Sequence, residues 1–186
     1  MISKFPILQS ERLFLRQHEM EDAESYFKIM SDSSVVRYYG KYPLTEISEA
    51  NEDLTLFNKE FTNGNMIKWA LEHKATREYV GSIGAFGLSS PHMRATISCV
   101  LGNQFWGVGL AKEGLRTVIQ FLFDEVRMNR IQLYVDPINI KAVKLFQSLG
   151  FQKEGLLREY EFEYGHAIDL CIMSILKKEW KKKESF

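Results

Sequence analysis

The sequence predicts an α/β (α+β) fold, built as a single domain over residues 1–186, and three observations carry that expectation. Runs rich in β-branched and aromatic residues alternate with stretches whose apolar residues recur every three or four positions, so strands and amphipathic helices share the chain. Two strand-like runs, Ile67 to His73 and Tyr79 to Leu88, are separated only by the polar turn Lys74-Ala75-Thr76-Arg77-Glu78, which implies a hairpin. The third observation is a glycine pair, Gly107 and Gly109. It stands where the run Thr96-Ile97-Ser98-Cys99-Val100-Leu101 gives way to the longest helical pattern, Leu110, Leu115, Val118, Ile119, Leu122, Phe123 and Val126.

Taken in order, Leu8 to Gln17 reads as a first strand, and Glu19 to Met30 as a helix through Ala23, Tyr26, Phe27 and Met30. Ser31-Asp32-Ser33-Ser34 breaks the pattern. Pro43-Leu44-Thr45 introduces a second helix, with Thr45 as N-cap, that runs towards Phe61 and stops at Asn63-Gly64-Asn65. In the hairpin's second strand Gly81, Gly84 and Gly87 either mark bulges or leave one face open to a neighbour. After Ser89-Ser90-Pro91 come a strand from Arg94 to Leu101, a helix to about Arg127, a strand from Ile131 to Val135 and a fourth long helix from Asn139 to Leu149. Phe151 to Tyr160 and Ala167 to Leu176 form a final strand pair, and the charge run Lys177 to Glu184 reads as a solvated end.

Composition narrows the classes of function. A 45% hydrophobic and 13% aromatic content supplies apolar mass for one substantial core. Lys plus Arg and Asp plus Glu both total 24, so no global field favours nucleic acid or an anionic membrane as partner. The start, Met1 to Pro6, lacks the apolar run of a signal peptide and no stretch is long enough to span a bilayer, so a cytoplasmic location is expected. Cys99 and Cys171 lie in apolar runs as small buried hydrophobes, and neither a disulfide nor a metal site is expected.

The glycine pair is where chemistry enters. Without a Cβ, Gly107 and Gly109 allow a tight turn and close approach of an anion, and the helix start beyond them offers unpaired N–H groups and a positive dipole end, so a pyrophosphate would fit. Alone, so short a motif reads more readily as a tight strand-to-helix connection. The Gly-x-x-x-x-Gly-Lys-Ser/Thr loop is absent, and a dinucleotide fingerprint would need glycine where Lys112 stands. The deciding context is Asn139-Ile140-Lys141-Ala142 and the helix that follows, ending in Gly150-Phe151.

Together with Trp106-Gly107-Val108-Gly109-Leu110-Ala111, that segment resembles the GNAT superfamily of acetyl-CoA-dependent N-acetyltransferases, whose loop reads Gln/Arg-x-x-Gly-x-Gly/Ala and whose later helix reads Asn-x-x-Ala/Ser before Gly-Phe. Ser10-Glu11-Arg12-Leu13-x-Leu15-Arg16, Glu154-Gly155-x-x-Arg158, Asp169 and Ile172-x-Ser174-Ile175-Leu176-x-x-Glu179-Trp180 extend the likeness over essentially the whole chain. They place it with the ribosomal-protein alanine N-acetyltransferase (RimJ/RimL-like) branch. The resemblance implies a mixed, mostly antiparallel seven-stranded sheet flanked by about four helices and splayed between the fourth and fifth strands.

It also implies acetyl-CoA as co-substrate. Backbone groups of Cys99, Val100 and Leu101 would pair with the pantetheine amides, N–H groups of Gly107, Val108, Gly109, Leu110, Ala111 and Lys112 would hold the pyrophosphate, and Asn139 would reach the pantetheine arm. The acceptor would be a primary amine, of a peptide N-terminus or a small molecule, and the protein a monomer or homodimer. Transfer would be direct: a neutral amine attacks the thioester carbon, a main-chain donor near Val100 steadies the oxyanion, and the thiolate leaves.

Several positions depart from the family pattern. Trp106 stands where Gln or Arg is usual, Phe146 where a Tyr often acts as general acid, and Ala142 where a Ser sometimes does. Thr96 and Tyr134 occupy the positions of a glutamate base. Substitutes are Glu72 or His73, otherwise ordinary polar residues of a hairpin end; Asp169, which the resemblance directs to the cleft; Tyr134, otherwise a core aromatic; or a water chain. Arg37-Tyr38-Tyr39, the stretch Arg158 to Tyr164, and His166 combine rings with carboxylates in a surface suited to a cationic amine or a peptide N-terminus, unless the rings only cover the core. An acyl-CoA-binding sensor or interaction module with reduced or lost transferase activity is the rival expectation.

Overall fold

The computed structural model describes residues 4–88 and 91–184, with side chains as far as Trp180. Met1-Ile2-Ser3 and the Ser89-Ser90 pair of the expected break lie outside the described residues. The described residues form eight strands: β1 (Leu8–Gln9), β2 (Leu13–Arg16), β3 (Met66–His73), β4 (Tyr79–Phe86), β5 (Arg94–Leu101), β6 (Arg130–Val135), β7 (Gln152–Glu163) and β8 (His166–Leu176). They form one sheet in the order β1-β2-β3-β4-β5-β6-β8-β7. Only the β5–β6 step is parallel.

The expected count of seven strands is corrected to eight, because the segment from Leu8 to Gln17 folds back on itself. The Ser10 N–H donates to the Leu13 carbonyl at 2.9 Å, and the Ser10 hydroxyl accepts the Leu13 N–H at 3.1 Å. A serine side chain thus offers the backbone a turn in place of a continued ladder.

The helices are α1 (Ala23–Met30), α2 (Ser33–Val36), α3 (Ile47–Thr62), α4 (Leu110–Asp124), α5 (Ile140–Leu149) and α6 (Lys177–Glu184). Two of these six were not among the four expected. Asp32 turns the Ser31-to-Ser34 break into the start of α2 by accepting the Ser34 N–H at 2.8 Å. The terminal charge run is helical and docks through one apolar residue: Trp180 is 2% exposed and its indole N–H donates to Gln120 Oε1 at 2.7 Å. The N-cap of α3 is Glu46 rather than Thr45, since Glu49 reaches back to accept both the Thr45 and Glu46 amides.

Apolar residues bury both faces of the sheet. On one side Trp69, Ile83 and Leu133 pack with Leu115, Ile119 and Phe123 of α4 and Phe146 of α5. On the other, Tyr26 and Met30 of α1 and Leu54 of α3 cover Val100. No helix among the described residues is long and apolar enough to cross a membrane.

One break in the sheet positions everything that follows. β5 and β6 pair only at Arg94–Arg130, Ala95–Ile131 and Thr96–Gln132. Beyond Thr96 the strands separate; they are the fourth and fifth of the seven strands the resemblance implies, and β5 and β6 here because the first is divided in two.

Candidate active site

The splay opens a cleft of about 570 Å³ between Ile97–Cys99 of β5 and Leu133–Val135 of β6, with Asn139, Ala142 and Phe146 of α5 on one side and Tyr26, Phe57 and Lys68 on the other. Backbone parity decides what β5 presents there. The Gly102 N–H donates to the Val80 carbonyl at 3.0 Å, which makes Ser82–Val100 and Gly84–Ser98 the hydrogen-bonded pairs of β4–β5. Cys99 and Leu101 therefore turn their main-chain groups to the splay, as a pantetheine partner would require. Val100 turns its own to Ser82, so the expectation of Val100 itself as main-chain donor is corrected to its neighbours.

The glycine loop joins the end of β5 to the start of α4. Gly107 and Gly109 have φ of +78° and +87°, and Gly109 is the N-cap of α4. The first helical bond runs from the Glu113 N–H to the Gly109 carbonyl at 3.1 Å. Among the described residues no protein acceptor takes the amides of Gly107, Val108, Gly109, Leu110, Ala111 or Lys112. A row of unpaired donors at a helix N-terminus is a site for phosphate oxygens.

Residues from the other end of the chain brace the loop. Arg12 donates to the Val108 carbonyl at 3.0 Å and to Glu113 Oε2 at 2.7 Å, while the Arg12 amide and the Ser10 hydroxyl reach Glu113 Oε1 at 2.7 and 2.6 Å. Burial would raise the Glu113 carboxyl pKa, but the bonds from Ser10 and Arg12 outweigh it and hold it below the ordinary value. Trp106 adds a second brace: its indole N–H donates to the Leu101 carbonyl at 3.0 Å and its ring lies 5.4 Å from Lys141 Nζ. Asn139 caps α5 by accepting the Ala142 N–H at 3.2 Å while lining the cleft.

The proposed titratable groups divide. Tyr134 lines the cleft, accepts from the Gln132 amide at 3.2 Å and stacks on Tyr160 with ring centres 5.5 Å apart. Burial, and then Tyr160, raise its phenol pKa. Glu72 is elsewhere: buried itself, it has Arg16 Nε 2.9 Å from Oε2 and the exposed Arg77 Nε 2.8 Å from Oε1, in a network that also contains the buried Asp22. It is tied into these ion pairs and lines neither cavity, which corrects its reading as a catalytic group. Asp169 is also corrected. Its carboxylate accepts the Glu159 N–H at 2.8 Å, inside a β7 bulge where the register jumps from Leu157–Leu170 to Glu161–Ile168. Ile168 and Leu170 line the cavity described next, so strand alternation turns Asp169 away from it.

That second cavity, of about 360 Å³, adjoins the cleft and is enclosed by Tyr38, Tyr39 and Gly40 facing Glu161, Phe162 and Glu163, with Asp136 between. Tyr38, Tyr39 and Tyr134 line both spaces. Burial, then Glu161 and Asp136, raise the Glu163 carboxyl pKa. The aromatic and acidic segments singled out in the sequence do come together, although Arg158 and His166 line neither cavity. Lys68 escaped sequence reasoning. It is 4% exposed, and its ammonium donates to the Tyr39 hydroxyl at 2.6 Å. The signal was a lysine inside the apolar run Met66-Ile67-Lys68-Trp69-Ala70-Leu71, beside a glycine: a Cβ on Gly84 would meet Lys68 Cδ at 3.0 Å.

A mixed sheet splayed beside a glycine loop at a helix start is the architecture of the GNAT acetyltransferases. The sequence matches the Acetyltransferase (GNAT) domain over residues 12–152, and the chain belongs to that family. It is 37% identical over 173 residues to the uncharacterized N-acetyltransferase p20 of Bacillus licheniformis, covering 93% of this chain and 97% of the relative. The spermidine N-acetyltransferase of Vibrio cholerae, solved in complex with CoA and spermine, is 24% identical with a TM-score of 0.81, over 91% of this chain and 98% of that one. Mycobacterium smegmatis RimJ, solved in complex with CoA-disulfide, is 20% identical with a TM-score of 0.86, over 94% and 89%. At these identities the last two likenesses are likenesses of fold, and they span more than one branch of the family.

Proposed function

We propose that this chain moves the acetyl group of acetyl-CoA to a primary amine of a small cationic molecule, by direct transfer in a ternary complex. The observation that carries the reading is the junction of the two cavities at Tyr38, Tyr39 and Tyr134. A thioester laid along Cys99 and Leu101, with its pyrophosphate on the amides of Gly107 to Lys112, presents its carbonyl at that junction. From the other side, Asp136, Glu161 and Glu163 draw in a cation and hold its amine in line. Holding both reactants in register supplies on the order of 7–11 kcal/mol in well-oriented systems.

A covalent acetyl-cysteine step is not part of this reading. Burial pushes the Cys99 thiol up to about 12, so the one cysteine in the cleft stays a thiol and a poor nucleophile. The cationic acceptor is also in keeping with the spermine bound to the Vibrio cholerae relative.

The test is thiol release from acetyl-CoA with polyamines, aminoglycosides, free amino acids and peptide N-termini as acceptors. Turnover is expected with di- and polyamines. Release with none of them would favour the acyl-CoA-binding sensor, and release only with peptides would move the acceptor to a protein N-terminus.

A further inference from the structure

We propose that Tyr39 is the proton-transferring residue of this site and that Lys68 positions it, an inference that rests on the transferase reading above. Tyr39 is one of three residues lining both the cleft and the acidic cavity, and its hydroxyl meets Lys68, which also lines the cleft. Of the other phenols there, Tyr38 has the exposed Arg37 guanidinium 5.2 Å from its ring centre, and two more have hydroxyls already bonded. Tyr26 donates to Asp53 at 2.7 Å. Tyr134 is bonded by a neutral amide and stacked on a second phenol. Phe146 and Ala142, at the family's usual acid positions, have no proton to give.

Tyr39 alone among them meets a buried cation. The Lys68 ammonium lies 2.6 Å from the phenol oxygen and 5.3 and 5.5 Å from the ring centres of Tyr39 and Phe57, and among the described residues it forms no ion pair with a carboxylate. An ammonium withdrawn from water calls for compensating negative charge. A phenol that becomes a phenolate in passing supplies that charge at the moment of reaction.

The step balances as follows. The amine lone pair forms the N–C bond, the C–S bond breaks, and its electron pair leaves on sulfur. The sulfur takes the Tyr39 hydroxyl proton, and the phenolate, held by Lys68, takes the surplus proton of the nitrogen. Nitrogen and sulfur share one carbon in the tetrahedral intermediate, so a single hydroxyl serves both. The amine proton ends on the CoA thiol, and Tyr39 and Lys68 are regenerated.

Steady-state kinetics on the best amine, with kcat and KM separated, test this. Tyr39→Phe keeps the ring and is expected to lower kcat by roughly 10²-fold or more while moving KM for acetyl-CoA by less than about threefold. Lys68→Met should lower kcat in the parent but add little to Tyr39→Phe, since both act through one hydroxyl. Introducing Phe146→Tyr into Tyr39→Phe returns a phenol to the cleft and should recover about tenfold or more in kcat, a rescue that a purely structural Tyr39 would not allow. A Tyr39→Phe enzyme within about threefold of the parent in kcat overturns the proposal, as does a fall matched by lost acetyl-CoA binding without rescue. A parent inactive on every amine overturns the transferase reading itself, so the two failures are told apart.

Discussion

Arg12 Nε lies 2.7 Å from Oε2 of Glu113, 101 positions along the chain, and the same guanidinium holds the Val108 carbonyl. The β1–β2 turn thereby fixes the shape of the glycine loop from beneath. Arg12→Leu should raise KM for acetyl-CoA by about tenfold or more, because a hydrogen bond to a charged group is worth ~1.5–3 kcal/mol. Calorimetric titration with acetyl-CoA checks it, and unchanged affinity would show that the loop needs no brace.

Gly109 occupies a left-handed conformation at φ +87°, where a β-branched side chain is strained, and a Cβ there would also approach Arg12 Nη2 to 3.4 Å. Gly109→Val is expected to abolish acetyl-CoA binding with the circular dichroism spectrum retained. Trp106→Ala should weaken binding less, since its indole steadies Leu101 and α5 while the phosphate donors are main chain. Parent-like binding by Gly109→Val would locate the phosphates elsewhere.

The acidic cavity makes acceptor binding an electrostatic matter. Glu161→Gln and Glu163→Gln should each raise KM for a polyamine by roughly three- to tenfold, and the parent KM should climb with added salt as these charges, Glu161 exposed and Glu163 half-buried, are screened. A KM indifferent to both changes would remove the cation from the acceptor's description.

Acid sensitivity should trace to His18. This 2% exposed imidazole contacts the Lys68 carbonyl and the Tyr79 hydroxyl, and burial, then the Lys68 ammonium, push its pKa down to about 4 from 6.5. The unfolded chain takes up this proton below pH 6.5 and the folded chain only near 4, so stability rises with pH across that window. The total is on the order of 3 kcal/mol. Urea unfolding of the parent should weaken from pH 6.5 to 4, and His18→Gln should flatten that slope; equal slopes would assign the loss to other groups.

Local patterns carried much of this. Hydrophobic period placed the long helices and the strands, and the Gly107–Gly109 and Asn139 motifs marked the starts of α4 and α5, because each depends on contacts within a few residues. The Ser10 turn shows how one side-chain bond divides a strand that period alone leaves whole. Glu72 and Asp169 were misread for a different reason: their roles come from Arg16, Arg77 and the Glu159 amide, partners set by tertiary register and bulge rather than by spacing. The Arg12–Glu113 clamp was visible only as part of a likeness, and Lys68 only as a charge out of pattern.

The three-pair seam between β5 and β6 makes the sheet two plates joined along a short edge, with the amides of Cys99 and Leu101 left over as an empty rung. On the proposed reading, an extended donor seated there would act as a temporary strand, so each turnover would splice the plates together and each product release would unsplice them. Acetyl-CoA should accordingly slow hydrogen exchange on both sides of the seam, from 97 to 101 and from 133 to 135, and the exit of CoA is in mechanical terms the withdrawal of a strand from a sheet.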